Sequence, residues 1–414
     1  MSSSGLKPKV IHVFPGLRPG GGPAGYAFYL QQALATLGAA KSLIEIVVPF
    51  GSQHKGNDPQ LGPSWRLRLL KKMPRWLAAM LLGMRTVHTL KKDALRYYGF
   101  TNEQIDSLRK GKVIVFHDYR LAFSYMRSHS MHPEQAILLM SHSPTDASSE
   151  KVEDWRSIFG DSAIWKEVYE KLVRFEFETF LKVKGVIAPC RNSLEGYFLD
   201  FPRGRNLLKS LAIYEVKTGV RGLNAVHSRR EIRERWGIAP DDKVVGYFGR
   251  RHHHKGFDLF VRLAELAYER GYTGVWFVSA GKGYLPSPSH LPNYLDLGYL
   301  TEQLADAVAA VDLVVVPNRF SYFDLFILEA MSLEKVVLTS RVGGNVCFDA
   351  PGVLLVNELS AESLLQAIEE LLSNDRLREF LGRKNREVFE KEYNLPAFAK
   401  RHLLLAETLL GGRY

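Results

Sequence analysis

Two successive doubly wound α/β units are what this sequence predicts, and three observations lead there. Its 414 residues exceed what one hydrophobic core usually holds, so two domains of about 200 residues each are expected. Short β-branched runs alternate with helix-spaced apolar patterns along the chain, the signature of parallel sheets covered by helices. The alternation lapses over residues 214–224, around Gly219 and Gly222, and then starts again.

The first half opens on a strand over residues 9–14 that turns at Gly20, Gly21 and Gly22 into a helix over 26–37. A second strand is expected over 42–49, and others over 113–116 and 136–140. A helix over 163–181 carries Trp165, Val168, Tyr169, Leu172, Phe175 and Phe180 at packing spacing, and a strand over 185–188 follows. The second half reads as helix 228–236, strand 244–248, helix 257–270, strand 274–279 and helix 301–310. Strand 313–316 comes next, then a helix from about residue 323, a strand over 336–339 and a long helical tail that includes a helix over 395–410.

A hydrophobic content of 46% is that of an ordinary globular protein. No run approaches the roughly 20 apolar residues that span a bilayer. The amino-terminal apolar run is a short strand rather than a signal peptide, so a cytoplasmic location is expected. Cys190 and Cys347 stand far apart without companion ligands, which reads as two reduced thiols. The net charge is +11 and the pI about 9.4. Much of the excess is local: over residues 65–98, Arg66, Arg68, Lys71, Lys72, Arg75, Arg85, Lys91, Lys92 and Arg96 face Asp93 alone. Trp65, Trp76, Met80, Met84 and several leucines are interleaved, a mixture that suits the surface of an anionic leaflet. A helical hairpin with a solvated basic face is the plainer alternative. No recognition motif accompanies the charge, so nucleic acid is not an expected partner.

Residues 318–345 are the most informative segment. They leave the carboxyl end of an apolar strand and enter a helix, whose free N–H groups and partial positive charge suit a phosphate. A carboxylate such as Glu329 can accept hydrogen bonds from ribose hydroxyls. After the strand over 244–248, Gly249-Arg250 and Lys255-Gly256 place a forked guanidinium and a point charge where a diphosphate would lie. Gly20, Gly21 and Gly22 allow the backbone to approach a phosphate or sugar closely. His117 ends the strand over 113–116, and His142 ends the next one, where it could line an acceptor side. His252, His253 and His254 are adjacent in an extended loop and cannot all face one ion, so no metal site is expected.

The segment resembles the nucleotide-sugar signature of the retaining glycosyltransferases of family four, whose fold is GT-B. Pro317, Phe323, Leu325, Glu329, Ala330, Met331, Val336, Val337, Gly343 and Gly344 match it. Ser321 stands where the family has the first of two glutamates, and Asp324 and Glu334 stand where it has glycines. The resemblance implies two Rossmann-like units facing a cleft: an acceptor domain over 1–218, a nucleotide-sugar domain over 219–394, and a helix over 395–414 crossing back to the first. It implies that Arg250 and Lys255 neutralise the departing diphosphate and that His117 reaches the donor sugar, making these the catalytic residues. It further implies donor contacts from Gly20, Gly21, Gly22, Gly249, Gly281, Gly283, Tyr299, Leu300, Ser321, Phe323, Asp324, Leu325 and Glu329. No Asp-x-Asp pair occurs, and no metal or other cofactor is expected. The expected activity is retaining transfer of a sugar from a nucleotide diphosphate to an acceptor hydroxyl. A lipid-linked saccharide, met at the inner face of an anionic membrane during surface polysaccharide or glycolipid assembly, is the expected acceptor. The alternative is a membrane-surface or polyanion-binding protein on the same scaffold with lost or reduced catalysis, for which Ser321 speaks.

Overall fold

In a computed structural model, residues 7–49, 69–70, 72–93, 100–128, 132–199 and 204–411 are described. The chain divides into two compact units, one of Met1–Lys217 with Phe398–Tyr414 and one of Thr218–Ala397. Each is built on a six-stranded sheet whose pairings are all parallel.

The first sheet contains β1 (Lys7–Val13), β2 (Ile44–Val47), β3 (Gly111–Phe116), β4 (Ala136–Leu139), β5 (Gly185–Ala188) and β6 (Ala212–Glu215), in the order β2-β1-β3-β4-β5-β6. β3 and β4 are almost wholly buried, which is why they read as unbroken apolar runs. The helix after β1 spans Gly22–Leu34 and begins earlier than its apolar spacing suggests, because Pro23 in its first turn is pre-set for helix. Ala78 and Ala79 of helix Arg75–Asp93 pack into a cluster with Val152, Phe159, Trp165, Val168 and Leu172. Gly83 of that helix lies so close to Ile164 that a Cβ there would come within 2.5 Å of its side chain.

The second sheet contains β7 (Lys243–Phe248), β8 (Val275–Ala280), β9 (Tyr294–Asp296), β10 (Leu313–Val316), β11 (Val336–Ser340) and β12 (Val353–Val356), in the order β12-β11-β10-β7-β8-β9. Its core joins Val245, Leu313, Val315 and Leu338 of the strands to Phe257, Phe260 and Leu263 on one helix and Leu364, Leu365 and Ile368 on another. In both units the chain leaves one strand in opposite directions. The switch lies between β1 and β3 in the first sheet and between β7 and β10 in the second, the place where open α/β sheets bind ligands.

Three strands lie outside the sequence expectations. β6 occupies part of the stretch where patterning lapses; it is a four-residue edge strand that is only half-buried, so it carries no apolar run. β9 has three residues, and β12 interrupts what the sequence suggests is continuous helix. Short apolar runs do not by themselves separate strand from helix. Neither Cys190 nor Cys347 is a free thiol, which corrects the reduced-thiol expectation.

One buried charge ties the base of the second unit together. Asp312, just before β10, accepts from Arg229 Nη2 at 2.7 Å, Arg233 Nη2 at 2.6 Å, Arg378 Nη2 at 3.3 Å and the Val244 amide at 2.7 Å. Burial works to raise its pKa, but Arg233 and Arg229 outweigh that and hold the carboxyl below its ordinary value. Its stabilisation is therefore present above the ordinary carboxylate pKa and is lost as pH falls through the depressed one. Asp312→Ala, which strands buried Arg233, should destabilise the unit by about 3–5 kcal/mol. Thermal melting at neutral pH and in acid checks this, and the gap between variant and wild type should narrow in acid.

Candidate active site

The carboxyl edge of the second sheet gathers the loops after β7, β8 and β10. The loop after β7 is tied down by Tyr247, whose hydroxyl donates to the Arg250 carbonyl at 2.7 Å. Arg250 itself is exposed at the head of that loop. Lys255 Nζ donates to Asp324 Oδ2 at 2.7 Å, and Asn318 Nδ2 donates to the same oxygen at 2.7 Å. The other carboxylate oxygen caps helix Leu325–Ser332 by accepting from the Phe326 amide at 3.2 Å. Burial would raise the Asp324 pKa, yet the Lys255 ammonium and the Asn318 amide outweigh it and keep the carboxyl below its usual range. The helix thus starts two residues after Phe323, whose ring stacks on Phe348 at 4.4 Å between centroids.

Two glycines are dictated by backbone contact. Gly343 has φ 46°, and a Cβ there would fall 2.0 Å from the Ser321 carbonyl oxygen, which also accepts from the Gly344 amide at 2.9 Å. Gly281 has φ 148°, and its Cβ would fall 1.8 Å from the Gly249 carbonyl oxygen. No side chain other than hydrogen fits either position. Beside them Gly283 bridges to Arg251, and Lys282 lies 3.9 Å from the centre of the exposed Tyr299 ring, with half-buried Leu300 next in sequence. Ser321 is 3% exposed, and its hydroxyl is buried with no hydrogen-bond partner among the described residues. Leu325 and Glu329 are half-buried on the helix that this edge feeds.

The switch point of the first sheet holds a different chemistry. Gly20 and Gly21 lead into the helix that opens at Gly22, and the helix has no side-chain cap. His117 follows β3 and is 2% exposed. Its Nδ1 lies 2.8 Å from His142 Nε2, and its Nε2 lies 2.9 Å from Nδ1 of His12 on β1. Phe14 stacks on His117 at 3.7 Å, and Tyr26 Oη lies 2.7 Å from Nε2 of His402 in helix Leu395–Leu410. Burial lowers the His12 and His142 pKa values to about 3 and holds those of His117 and His402 well below the ordinary imidazole value.

The structure thus joins Lys255 to Asp324, Gly249 to Gly281, Ser321 to Gly343, and His117 to His142. Asn318, Tyr247, His12, Tyr26 and His402 were not singled out by sequence. A polar residue in an apolar strand, such as His12, was the available signal. Arg66, Arg68, Lys71 and Arg96 lie outside the described residues, as do the side chains of Lys91 and Lys92.

Residues 242–374 match the glycosyl transferases group 1 family. The chain is 26% identical over 182 residues to the alpha-D-kanosaminyltransferase of Streptomyces kanamyceticus, a match covering 41% of this chain and 46% of that protein. It spans less than half the length of the first curated relatives it matches. Among solved structures, sucrose-phosphate synthase from Thermosynechococcus elongatus superposes with a TM-score of 0.62 at 20% identity, over 97% of this chain and 99% of that one. HepE from Anabaena, solved with UDP and glucose, gives 0.57 at 15% identity over 97% and 99%. The fold class expected from the sequence, two doubly wound parallel-sheet units of GT-B type, is the one found. The group 1 match lies wholly within the unit that holds Asp324 and Gly343.

The Asp324 carboxylate serves the loop after β7 and helix Leu325–Ser332 together. Asp324→Ala should lose the cap and the Lys255 pair, costing about 1–3 kcal/mol. Asp324→Asn, which can still accept at the Phe326 amide, should fall between. An alanine variant that melts with the wild type would show that this carboxylate organises nothing.

Proposed function

We propose that the chain is a retaining glycosyltransferase that moves a sugar from a nucleotide diphosphate to an acceptor hydroxyl. The observation that carries this reading is the convergence of three loops at one switch point: Arg250 and Lys255 after β7, Gly281 after β8, and the Asp324-capped helix after β10. Such an edge suits a diphosphate without a metal, because the cationic side chains and helix amino end supply the compensating charge. The bond from the anomeric carbon to the diphosphate oxygen would break as the bond to the acceptor oxygen forms on the same face. The acceptor proton would pass to the leaving phosphate oxygen, so no protein nucleophile is needed. Glu329 would accept from ribose hydroxyls, and Tyr299 and Leu300 would flank the base. The buried, unpartnered Ser321 hydroxyl suits a donor sugar that offers one hydrogen bond at that point. HepE, of the same fold, was solved with UDP and glucose, which supports a nucleotide-sugar donor.

Calorimetric titration with nucleoside diphosphates tests the reading. One of them should bind, and Glu329→Ala should weaken it roughly 10- to 100-fold through loss of a charged hydrogen-bond partner. A wild-type chain that binds no nucleoside diphosphate and turns over no nucleotide sugar would favour the non-catalytic alternative.

The first unit would receive a lipid-linked saccharide from an anionic membrane face. Helix Arg75–Asp93 turns Trp76, Met80 and Met84, at successive i, i+4 positions, outward with exposures of 64%, 37% and 58%. Lys72, Arg75 and Arg85 are exposed around them. Bulky apolar side chains flanked by cations fit the lipid headgroup boundary. Among the described residues no helix is long and apolar enough to cross a membrane, so the contact proposed is peripheral. Changing Lys72, Arg75 and Arg85 to glutamine should lower partition to anionic vesicles by about 100-fold, at about 1 kcal/mol per cation. Equal sedimentation of variant and wild type with such vesicles would remove the membrane from the reading.

A further inference from the structure

The segment of the second unit that presents Lys255 is a single tight turn, His253–Lys255, with no side-chain cap of its own. Few bonds hold such a turn: Lys255 and Gly256 donate their amides to the His252 and His253 carbonyls at 3.1 and 2.9 Å. Its exit is fixed sterically, because Gly256 has φ 67° and a Cβ there would fall 1.9 Å from the Pro317 carbonyl oxygen. The turn therefore rests on the backbone that leaves β10.

Arg319, two residues beyond Pro317, grips the turn from that side. Its amide donates to the His254 carbonyl at 2.9 Å, and its Nη1 donates to the His253 carbonyl at 2.8 Å. The same guanidinium forks onto Asp258, Nη1 to Oδ1 at 2.7 Å and Nη2 to Oδ2 at 2.8 Å. Asp258 stands in the first turn of helix Phe257–Glu269, so one side chain spans the tight turn and the helix that follows it. A partly exposed ion pair contributes little alone, but a bidentate fork that also engages a carbonyl fixes an orientation. A lysine could not reproduce that geometry. Lys255, held between these anchors, directs its Nζ to Asp324 Oδ2 at 2.7 Å.

We propose that Arg319 is a positioning residue for Lys255: by clamping the turn His253–Lys255 onto helix Phe257–Glu269, it fixes where the Lys255 ammonium meets a nucleoside diphosphate. This role rests on the reading of the edge as a nucleotide-sugar site. Both terminal nitrogens of Arg319 are engaged by Asp258 and the His253 carbonyl, so Arg319 serves the ligand through Lys255.

Two measurements on the full chain separate the clamp from the ligand. Without nucleotide, amide exchange at Lys255 and Gly256 should quicken by about 10-fold in Arg319→Met and Arg319→Lys, and stay unchanged in the middle of helix Phe257–Glu269. In calorimetric titrations with UDP, GDP and ADP in turn, both variants should bind the preferred diphosphate about 10-fold more weakly than the wild type. In a Lys255→Ala background, Arg319→Met should cost no more than about twofold, because the group it positions is gone. Additive losses in that double variant would show that Arg319 meets the ligand itself. Full binding by Arg319→Lys would show that charge alone matters. Either result overturns the proposal, as does unchanged exchange at Lys255 and Gly256. Asp258→Asn releases the fork from the other side and should reproduce both effects, which decides the matter if an Arg319 variant does not fold. If no diphosphate binds the wild type while exchange still quickens, the donor-site reading fails, and with it the role toward a ligand, while the clamp on the turn stands.

Discussion

The second unit's edge depends on one half-buried carboxylate. Asp324 receives the Lys255 ammonium, the Asn318 amide and the first turn of the helix that follows it. Those partners come from the loop after β7, the end of β10 and the start of helix Leu325–Ser332, so one side chain sets the spacing of three segments. The arrangement also explains why an aspartate suits this position. An aspartate at a helix start is a good cap, and its charge is already matched by a lysine one loop away. Lys255 is thereby oriented by the protein's own carboxylate, at the cost of sharing its charge.

Much of the fold was legible because its signals are strong. Buried strands such as β3, β4 and β10 are uninterrupted apolar runs, and the helices between them carry well-spaced aromatic and aliphatic residues. Residues whose role is to lie against backbone were equally readable: Gly281 and Gly343 stand where no other residue fits. Strands β6, β9 and β12 were not legible, since three or four residues at or near a sheet edge carry too little pattern. The site divided along the same line. Residues joined within one loop could be read in order, whereas partnerships across the sheet could not. Asn318 with Asp324 spans six positions, but His12 with His117 spans 105 and Tyr26 with His402 spans 376. Sequence spacing says nothing about such pairs until the sheet order is known.

The two switch points are built to opposite electrostatic rules. In the second unit, charge is matched by charge: Asp324 with Lys255 at the carboxyl edge, and Asp258 held by both guanidinium nitrogens of Arg319 at 2.7 and 2.8 Å. In the first, four imidazoles are gathered with aromatic rings and kept neutral by burial. The same sheet topology thus supports a polarised edge in one unit and an uncharged hydrogen-bonding edge in the other.

Helix Arg75–Asp93 illustrates how small residues can govern large ones. Gly83 leaves no room for a methyl group against Ile164, and Ala78 and Ala79 fill the same seam. The helix is therefore locked about its own axis, like a key cut on one side only. Trp76, Met80 and Met84 are exposed on its outward face and are not part of the core cluster among the described residues. Exchanging those three side chains would thus change what the helix touches, while the seam beneath admits not even a methyl group at Gly83.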